Sequence, residues 1–183
     1  MRRNIFVWVM MIMVLSIYSC SNSVKSVKGV AISAVNKVLQ QSDGSIKLKV
    51  DKAECYSDTE NPESNTAEWN VLVSKSGRFD VWLSSATKDT TDLKYKNNVS
   101  LSILDNRVEA RPACDNVFLN SSDVTYPYFR ADSFIGSIFI QDTGVYNIQL
   151  ISEKILPKDL ASIESSVNDN SKLLSVSLTP ATR

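Results

Sequence analysis

The chain has 183 residues, with 20 basic and 20 acidic side chains and no histidine. Without histidine it cannot form a Ser-His-Asp triad, and it lacks the side chain that most often serves as general base and metal ligand. The sequence contains neither a glycine-rich phosphate loop nor paired cysteines at zinc spacing. The balanced charge gives no reason to expect nucleic acid as a partner. We therefore predict a protein that is not an enzyme and does not bind nucleic acid.

The N-terminus carries the signals of an exported protein. Arg2 and Arg3 precede an uncharged apolar run from Ile5 to Ile17, which is short for a membrane span of about 20 residues and typical of a secretory signal. Ile17-Tyr-Ser-Cys20 resembles a bacterial lipobox, although Tyr18 is a poor match. The resemblance implies a signal peptide over residues 1–19 and an acylated Cys20 that anchors the chain in a lipid bilayer. The alternative is an ordinary signal peptide or an uncleaved anchor.

The segment 20–43 is predicted to be a tether with one short element. Removing Arg2 and Arg3 leaves 18 basic and 20 acidic residues, a net charge of −2. Val30–Gln41 has apolar residues at roughly helical spacing, but its valines also suit a strand. No acidic stretch follows Cys20, and some lipoproteins use such a stretch for surface display. We therefore expect a location in the bacterial cell envelope, at the outer membrane and facing the periplasm.

Alternating apolar and polar residues predict strands through the rest of the chain. Two long stretches, Trp69–Leu83 and Gly136–Leu150, can be aligned without a gap at an offset of 67 residues, with Gly77 on Gly144. We predict a β-hairpin in each. Shorter alternating runs lie at 46–50, 99–103 and 174–178. At least seven short strands with turn residues between them predict one all-β sandwich over residues 44–183.

These segments resemble the galactose-binding-like jelly-roll modules that are attached to bacterial glycoside hydrolases and fucosidase-like enzymes. The resemblance covers about residues 44–180 and implies an antiparallel jelly-roll β-sandwich that binds carbohydrate. Such modules often hold a structural calcium near a first-strand glutamate, which here is Glu54. They often complete that site with an acidic residue near the last strand, where this chain has Ser175 and Ser177. We therefore predict no cofactor, with calcium at Glu54 as the alternative. The segments that carry the resemblance are 44–54, 69–73, 77–81, 138–150 and 173–180.

Aromatic residues are the candidate ligand contacts, since a ring can stack on the apolar face of a sugar. Trp82 alternates with core residues and shares a face with Asp80, so we expect it to point outward and bind ligand. Its alternative role is packing beneath another segment. Tyr126 and Tyr128 precede a predicted strand, where binding loops lie in jelly rolls, and could instead plug the end of the sandwich. Trp69 alternates with valines and is predicted to be a core residue.

Two further groups of residues have a structural and a functional interpretation. Cys55 and Cys114 are a pair in an exported chain, so they form either a disulfide, worth on the order of 4 kcal/mol for a loop of this length, or two buried thiols. The second group is a run of acidic residues that could supply a carboxylate pair for glycoside hydrolysis. We interpret that run as a solvated loop. Its members are Asp51, Glu54, Asp58, Glu60 and Glu63.

Together these features predict an envelope lipoprotein with a non-catalytic carbohydrate-binding β-sandwich, whose partner is a glycan. The alternative is a structural or protein-interaction lipoprotein without a sugar site, whose partner is another envelope protein. A ring beside polar groups in a groove would favour the first, and a flat apolar patch would favour the second.

The lipobox yields a direct prediction. We expect Cys20 to be the acylated N-terminus of the mature chain, since several acyl chains anchor a protein stably where one binds only marginally. Mass spectrometry of the membrane fraction should detect a lipid-modified peptide that begins at Cys20. A soluble mature chain with another N-terminus would refute the prediction.

Overall fold

The computed structural model describes residues 37–155 and 171–182. The predicted signal peptide over residues 1–19, the acylated Cys20 and the tether up to residue 36 lie outside the described residues. The described residues form eleven strands and two short 3-10 turns, at Val50–Lys52 and Pro62–Ser64. None of the helical segments in this part of the chain is long and apolar enough to cross a membrane. The strands are β1 (Lys37–Leu39), β2 (Ile46–Lys49), β3 (Glu54–Tyr56), β4 (Thr66–Val73), β5 (Gly77–Thr87), β6 (Val99–Ile103), β7 (Asn106–Ala110), β8 (Asn116–Phe118), β9 (Phe129–Ile140), β10 (Gly144–Ile151) and β11 (Ser171–Pro180).

The strands form two sheets that enclose one core, which confirms the all-β sandwich. One sheet has six strands in the order β1-β4-β10-β6-β7, with β3 also paired to β4, and the other has five in the order β2-β11-β5-β9-β8. All pairings are antiparallel except that of β1 with β4. The largest buried side chains come from both sheets and include Trp69, Phe79, Leu83, Leu101 and Ile148.

The predicted strand at 46–50 is confirmed as β2, and those at 99–103 and 174–178 as β6 and part of β11. Lys37–Leu39, within the segment predicted to be either a helix or a strand, is a strand parallel to β4. The helix is therefore wrong for these three residues. Leu39 is exposed while Val38 packs against the core, so the short apolar run does not present the stripe that a helix would bury.

The two predicted hairpins are wrong, although their strands are in the predicted places. β4 belongs to the six-stranded sheet and β5 to the five-stranded sheet, so residues 74–76 carry the chain between sheets. β9 belongs to the five-stranded sheet and β10 to the six-stranded sheet, so the chain crosses back between the sheets there. A chain that crosses between two sheets points its apolar side chains into the space between them, which gives the same alternation as a hairpin with one buried face.

The two crossing units pair with each other, which accounts for the repeat in the sequence. β4 pairs with β10 and β5 pairs with β9, both antiparallel. Gly77 lies opposite Ile140, and Gly144 lies opposite Val73. The units are thus related by an approximate two-fold arrangement, and each supplies one central strand to each sheet.

Both turn glycines hold a backbone conformation that other residues rarely adopt, with φ +148° at Gly77 and +157° at Gly144. A Cβ at Gly77 would meet no atom within 4 Å, and one at Gly144 would lie 3.8 Å from the Tyr146 ring. Space is therefore available, and the cost of substitution lies in the backbone.

We expect Gly77→Val and Gly144→Val each to lower the free energy of unfolding by more than about 1 kcal/mol, from backbone strain at a β-branched residue. Urea unfolding of the full chain measures this. Arg78→Val, at an exposed strand position next to Gly77, is the control and should change stability little. Unchanged midpoints in both glycine variants would mean that the glycines are incidental.

Candidate functional site

The outer face of the five-stranded sheet carries the best candidate for a ligand site. Trp82 is half-buried and points away from the core, because its neighbours Val81 and Leu83 are fully buried. Phe134 of β9 lies opposite Trp82 and is 43% exposed. The two ring centroids are 5.3 Å apart with an interplanar angle of 55°. The rings therefore form an aromatic pair that is accessible to solvent, which we call the ring pair.

Polar side chains lie beside the ring pair on the same face. Asp80 is two residues from Trp82 and opposite Ser137 of β9, whose hydroxyl donates to the Asp80 carboxylate at 2.6 Å. On the other side, Ser177 of β11 lies opposite Trp82, and Thr179 lies opposite Asp80. An apolar surface with hydroxyl and carboxylate groups at its margin can offer both stacking and hydrogen bonds to a sugar.

The loop between β8 and β9 crosses this face and closes one side of the site. Its Asp123 contacts Lys47 of β2 at 3.4 Å and Arg130 of β9 at 3.1 Å. Two strands, β11 and β5, separate β2 from β9 in the sheet. The carboxylate must therefore lie above the middle of the sheet, which agrees with the burial of the outward-facing Ser84 and Ser175.

The charges around Asp123 hold the loop in place. Burial works to raise the pKa of the Asp123 carboxyl, but the charges and hydrogen bonds of Lys47 and Arg130 together outweigh it and lower the pKa below its ordinary value. Arg130 also pairs with Asp132 at 3.1 Å and stacks over the Phe118 ring, 4.2 Å from its centroid. The loop is thus tied to both β2 and β9.

The structure brings only some of the predicted ligand contacts together. Asp80 and Trp82 share one face, as expected. Tyr126 is 90% exposed, so it does not plug the sandwich. Tyr128 is half-buried, with the Lys88 ammonium 5.0 Å from its ring centroid. Lys88 follows the end of β5 and is six residues from Trp82, about 20 Å away along an extended strand. The structure therefore does not place Tyr128 beside the ring pair.

Trp69 has the predicted core position. It is 2% exposed, and its indole N–H donates to the Lys49 carbonyl at 2.9 Å. The ring therefore fills space between the sheets and satisfies its one polar group there.

Glu54, the candidate calcium ligand, lies on the outer face of the other sheet. It is exposed on β3 opposite Glu68, which accepts a hydrogen bond from Gln149 at 2.9 Å. Within residues 37–155 and 171–182, no three acidic, cysteine or histidine side chains come together as metal ligands would.

Cys55 and Cys114 are not bonded to one another in the described part of the chain. Both are half-buried and pack against the core, and the Cys55 sulfur lies 3.9 Å from the Val50 carbonyl oxygen. Burial, together with the nearby carboxylates of Asp89, Asp92 and Asp115, raises the pKa of the Cys114 thiol. Cys114 therefore stays protonated at neutral pH.

The sequence did not identify Phe134, Ser137 or Asp123. The alternation along β9 breaks at a bulge opposite Val81 and Trp82, so the exposure of Phe134 cannot be read from its neighbours. Asp123 is one of several acidic loop residues, and its contacts depend on the order of strands in the sheet. The one available signal is an aromatic residue shortly before Gly136, since glycine in a strand often marks a bulge.

Comparison with known proteins identifies the fold but no family. No protein-family model matches the sequence, and no curated protein does. Among solved structures, α-L-fucosidase from Vibrio sp. strain EJY3 is similar over 79% of this chain and 24% of its own, with a TM-score of 0.62 and 21% identity. A GH26-CBM35 β-(1,4)-mannanase from Podospora anserina matches 77% of this chain and 28% of its own, with a TM-score of 0.45 and 12% identity. The chain thus spans about a quarter of the length of each.

The ion pairs of Asp123 lead to a prediction about the stability of the β8–β9 loop in a variant and at low pH. We expect Asp123→Asn to speed amide hydrogen exchange in residues 119–128 and to lower stability by about 1 kcal/mol or less, as for partly exposed ion pairs. Because the folded-state pKa is lowered, the stabilisation is present above the unfolded pKa near 4 and is lost as the pH falls through the folded value. Hydrogen-exchange mass spectrometry at several pH values measures both effects.

Asp105→Asn, at an exposed turn between β6 and β7, is the matched control and should leave the loop unchanged. Equal exchange in the wild type and Asp123→Asn would mean that the ion pairs do not hold the loop.

Proposed function

We propose that the protein is a non-catalytic carbohydrate-binding protein, and that it binds a glycan on the outer face of the five-stranded sheet. The observation that carries the proposal is the ring pair, Trp82 and Phe134, which is accessible beside polar side chains. A large ring left in water has no structural benefit, whereas stacking on the apolar face of a pyranose removes it from water.

The polar side chains beside the ring pair suit a sugar better than they would suit an apolar ligand. Asp80, Ser137 and Thr179 lie in one row across three strands, next to the row that holds Trp82. The Ser137 hydroxyl already orients the Asp80 carboxylate, so its remaining lone pairs can accept from sugar hydroxyls. Hydrogen bonds to a charged acceptor are stronger than those between neutral groups.

The two carboxylates that the strands of this face carry, on Asp80 and Asp132, lie far apart, which supports a role without catalysis. Asp132 lies opposite Ser84 and Asp80 lies opposite Ser137, so four residues of strand separate Asp80 from Ser84, about 14 Å. Glycosidase carboxylates are about 5–9.5 Å apart. Asp132 is also paired with Arg130, and Asp123 of the crossing loop is held by both Lys47 and Arg130, so these carboxylates are already engaged by cations.

The similarity in fold to the Vibrio α-L-fucosidase also supports the proposal. The resembling part of the Vibrio enzyme is a β-sandwich carried by an α-L-fucosidase, a protein that acts on a sugar. Since fold does not fix function, the ring pair and not the likeness selects the ligand class.

Anchoring in the bacterial envelope through an acylated Cys20 is part of the same proposal. The lipobox-like end of the apolar run supports it. A lipid anchor would hold the sandwich at the membrane while the ring pair remains open to glycans, and the outer membrane facing the periplasm is the expected location.

Protein binding is the second candidate, and one observation favours it. Phe139 of β9 is 56% exposed, and Leu104 of the β6–β7 turn is 75% exposed. The Asn106 amide donates to the Phe139 carbonyl at 3.2 Å, which brings the β6–β7 turn next to Phe139. An apolar surface of this kind suits a protein partner.

Two tryptophan variants separate a ligand contact from a core residue. We expect Trp82→Ala to abolish binding to a glycan identified on an array, at a cost of less than about 1.5 kcal/mol in unfolding free energy. Trp69→Ala should instead destabilise the fold by about 3–5 kcal/mol, the range for a buried tryptophan. Isothermal titration and urea unfolding of the full chain measure the two effects.

Phe139→Ala removes an exposed ring elsewhere on the same sheet and is the control. It should leave glycan binding unchanged. A stability loss of several kcal/mol in Trp82→Ala would show that its ring is structural. Loss of a protein partner in Phe139→Ala, with no glycan bound by the wild type, would favour the second candidate.

A further inference from the structure

The strand β9 contains a bulge directly beside the ring pair. In its pairing with β5, Phe134 lies opposite Trp82 and Gly136 lies opposite Val81, so Ile135 is an extra residue without a partner on β5. A bulge of this kind bends the strand and changes the face to which the following side chains point, and bulges are frequent beside functional sites. The bulge therefore determines which residues of β9 share a face.

The bulge brings two parts of the candidate site onto the same face. Phe134 and Ser137 are three residues apart, and on a regular strand an odd separation points two side chains to opposite faces. Here the Phe134 ring is paired with Trp82, and the Ser137 hydroxyl donates to the Asp80 carboxylate. Trp82 and Asp80 are two residues apart on β5 and share its outer face. Without the extra residue on β9, its ring and its hydroxyl would not both lie on that face.

The β9 backbone at the bulge has lost its strand partner on the side away from β5. Among the described residues, β8 pairs with β9 only from Arg130 to Asp132, so the ladder on this side stops two residues before Phe134. A backbone N–H at the end of a ladder needs another acceptor. The Phe134 N–H donates to a carboxylate oxygen of Asp115 at 2.7 Å. Asp115 comes immediately before β8, so its side chain extends the ladder by one hydrogen bond.

Two further contacts fix the backbone on either side of this hydrogen bond. The buried Ser133 hydroxyl donates to the Ala113 carbonyl, which ties the segment before β8 to β9 at a second point. After the bulge, a Cβ at Gly136 would lie 3.3 Å from the Val108 side chain of β7. The bulge is thus held between the Asp115 segment and the close approach of β7.

We infer that Asp115 is a positioning residue for the ring pair. Its carboxylate holds the Phe134 backbone at the bulge, and the bulge directs the Phe134 ring onto Trp82. The inference rests on the proposed function, because the ring pair matters for binding only if a sugar stacks on it. Phe134 requires an acceptor oxygen, which an asparagine amide also supplies. Asp115 is exposed, so truncating it opens no cavity in the core.

The test compares Asp115→Ala, which removes the acceptor, with Asp115→Asn, which keeps an oxygen at the same place. Nuclear magnetic resonance of the full chain follows the indole N–H signal of Trp82, which the neighbouring Phe134 ring shifts through its ring current. The variant Phe134→Leu gives the position of that signal without the ring. We expect the signal in Asp115→Ala to move towards its position in Phe134→Leu, and the signal in Asp115→Asn to stay near that of the wild type.

An array of neutral and acidic oligosaccharides then measures binding by the same variants. For the array glycan that the wild type binds most strongly, we expect Asp115→Ala to weaken the affinity about fivefold or more, the effect of losing one hydrogen bond. Asp115→Asn should stay within about twofold of the wild type.

Asp58→Ala is the matched control. Asp58 is also exposed and accepts from a backbone N–H, that of Glu60 at 2.8 Å, but it lies in the loop between β3 and β4. This variant should change neither the Trp82 signal nor the affinity.

An unchanged Trp82 signal or full affinity in Asp115→Ala would overturn the inference and leave the proposed function intact. Equal weakening in Asp115→Ala and Asp115→Asn would also overturn it, since it would mean that the charge of Asp115 acts on the glycan directly. A wild-type chain that binds no array glycan would overturn the proposed function and, with it, the role of Asp115 in binding.

Discussion

The hydrogen bond from the Trp69 indole to the Lys49 carbonyl connects the core to the surface that we assign to ligand. Trp69 belongs to the six-stranded sheet and Lys49 ends an edge strand of the five-stranded sheet. An indole N–H buried without an acceptor would be costly, so the ring fixes the point at which β2 stops. The 3-10 turn at Val50–Lys52 begins there. The exposed position of Lys49 at the end of β2 thus follows from a core contact.

The pairing of the two crossing units determines which side chains lie next to Trp82. Because β5 lies between β11 and β9, Trp82 has a neighbour on each side, Ser177 and Phe134. Only a central strand can present a ring together with side chains of both adjacent strands, and an edge strand would leave one side open. The units that create the repeat in the sequence therefore also place the ring pair in the middle of a face, where its neighbours can form a site.

The sequence predicted those features that depend on local alternation. Burial of Trp69 and the outward direction of Trp82 follow from their neighbours, and both agree with the structure. The choice of strand partner does not follow, because a crossing between sheets and a hairpin give the same alternation. Phe134 and Asp123 became visible only with the strand order, since one lies opposite Trp82 and the other reaches from the β8–β9 loop to β2.

The two outer faces differ in a way that favours the five-stranded sheet as the ligand surface. On the six-stranded sheet, Glu68 lies between Glu54 and Gln149 and accepts a hydrogen bond from Gln149, so this part of the face is polar. On the five-stranded sheet, the ring pair stays accessible beside the Asp80 carboxylate. Burying a ring lowers the free energy when a ligand binds. A sugar that stacks on the ring pair removes apolar surface from water and can also donate hydroxyl hydrogen bonds to Asp80, whereas a purely apolar ligand does only the first.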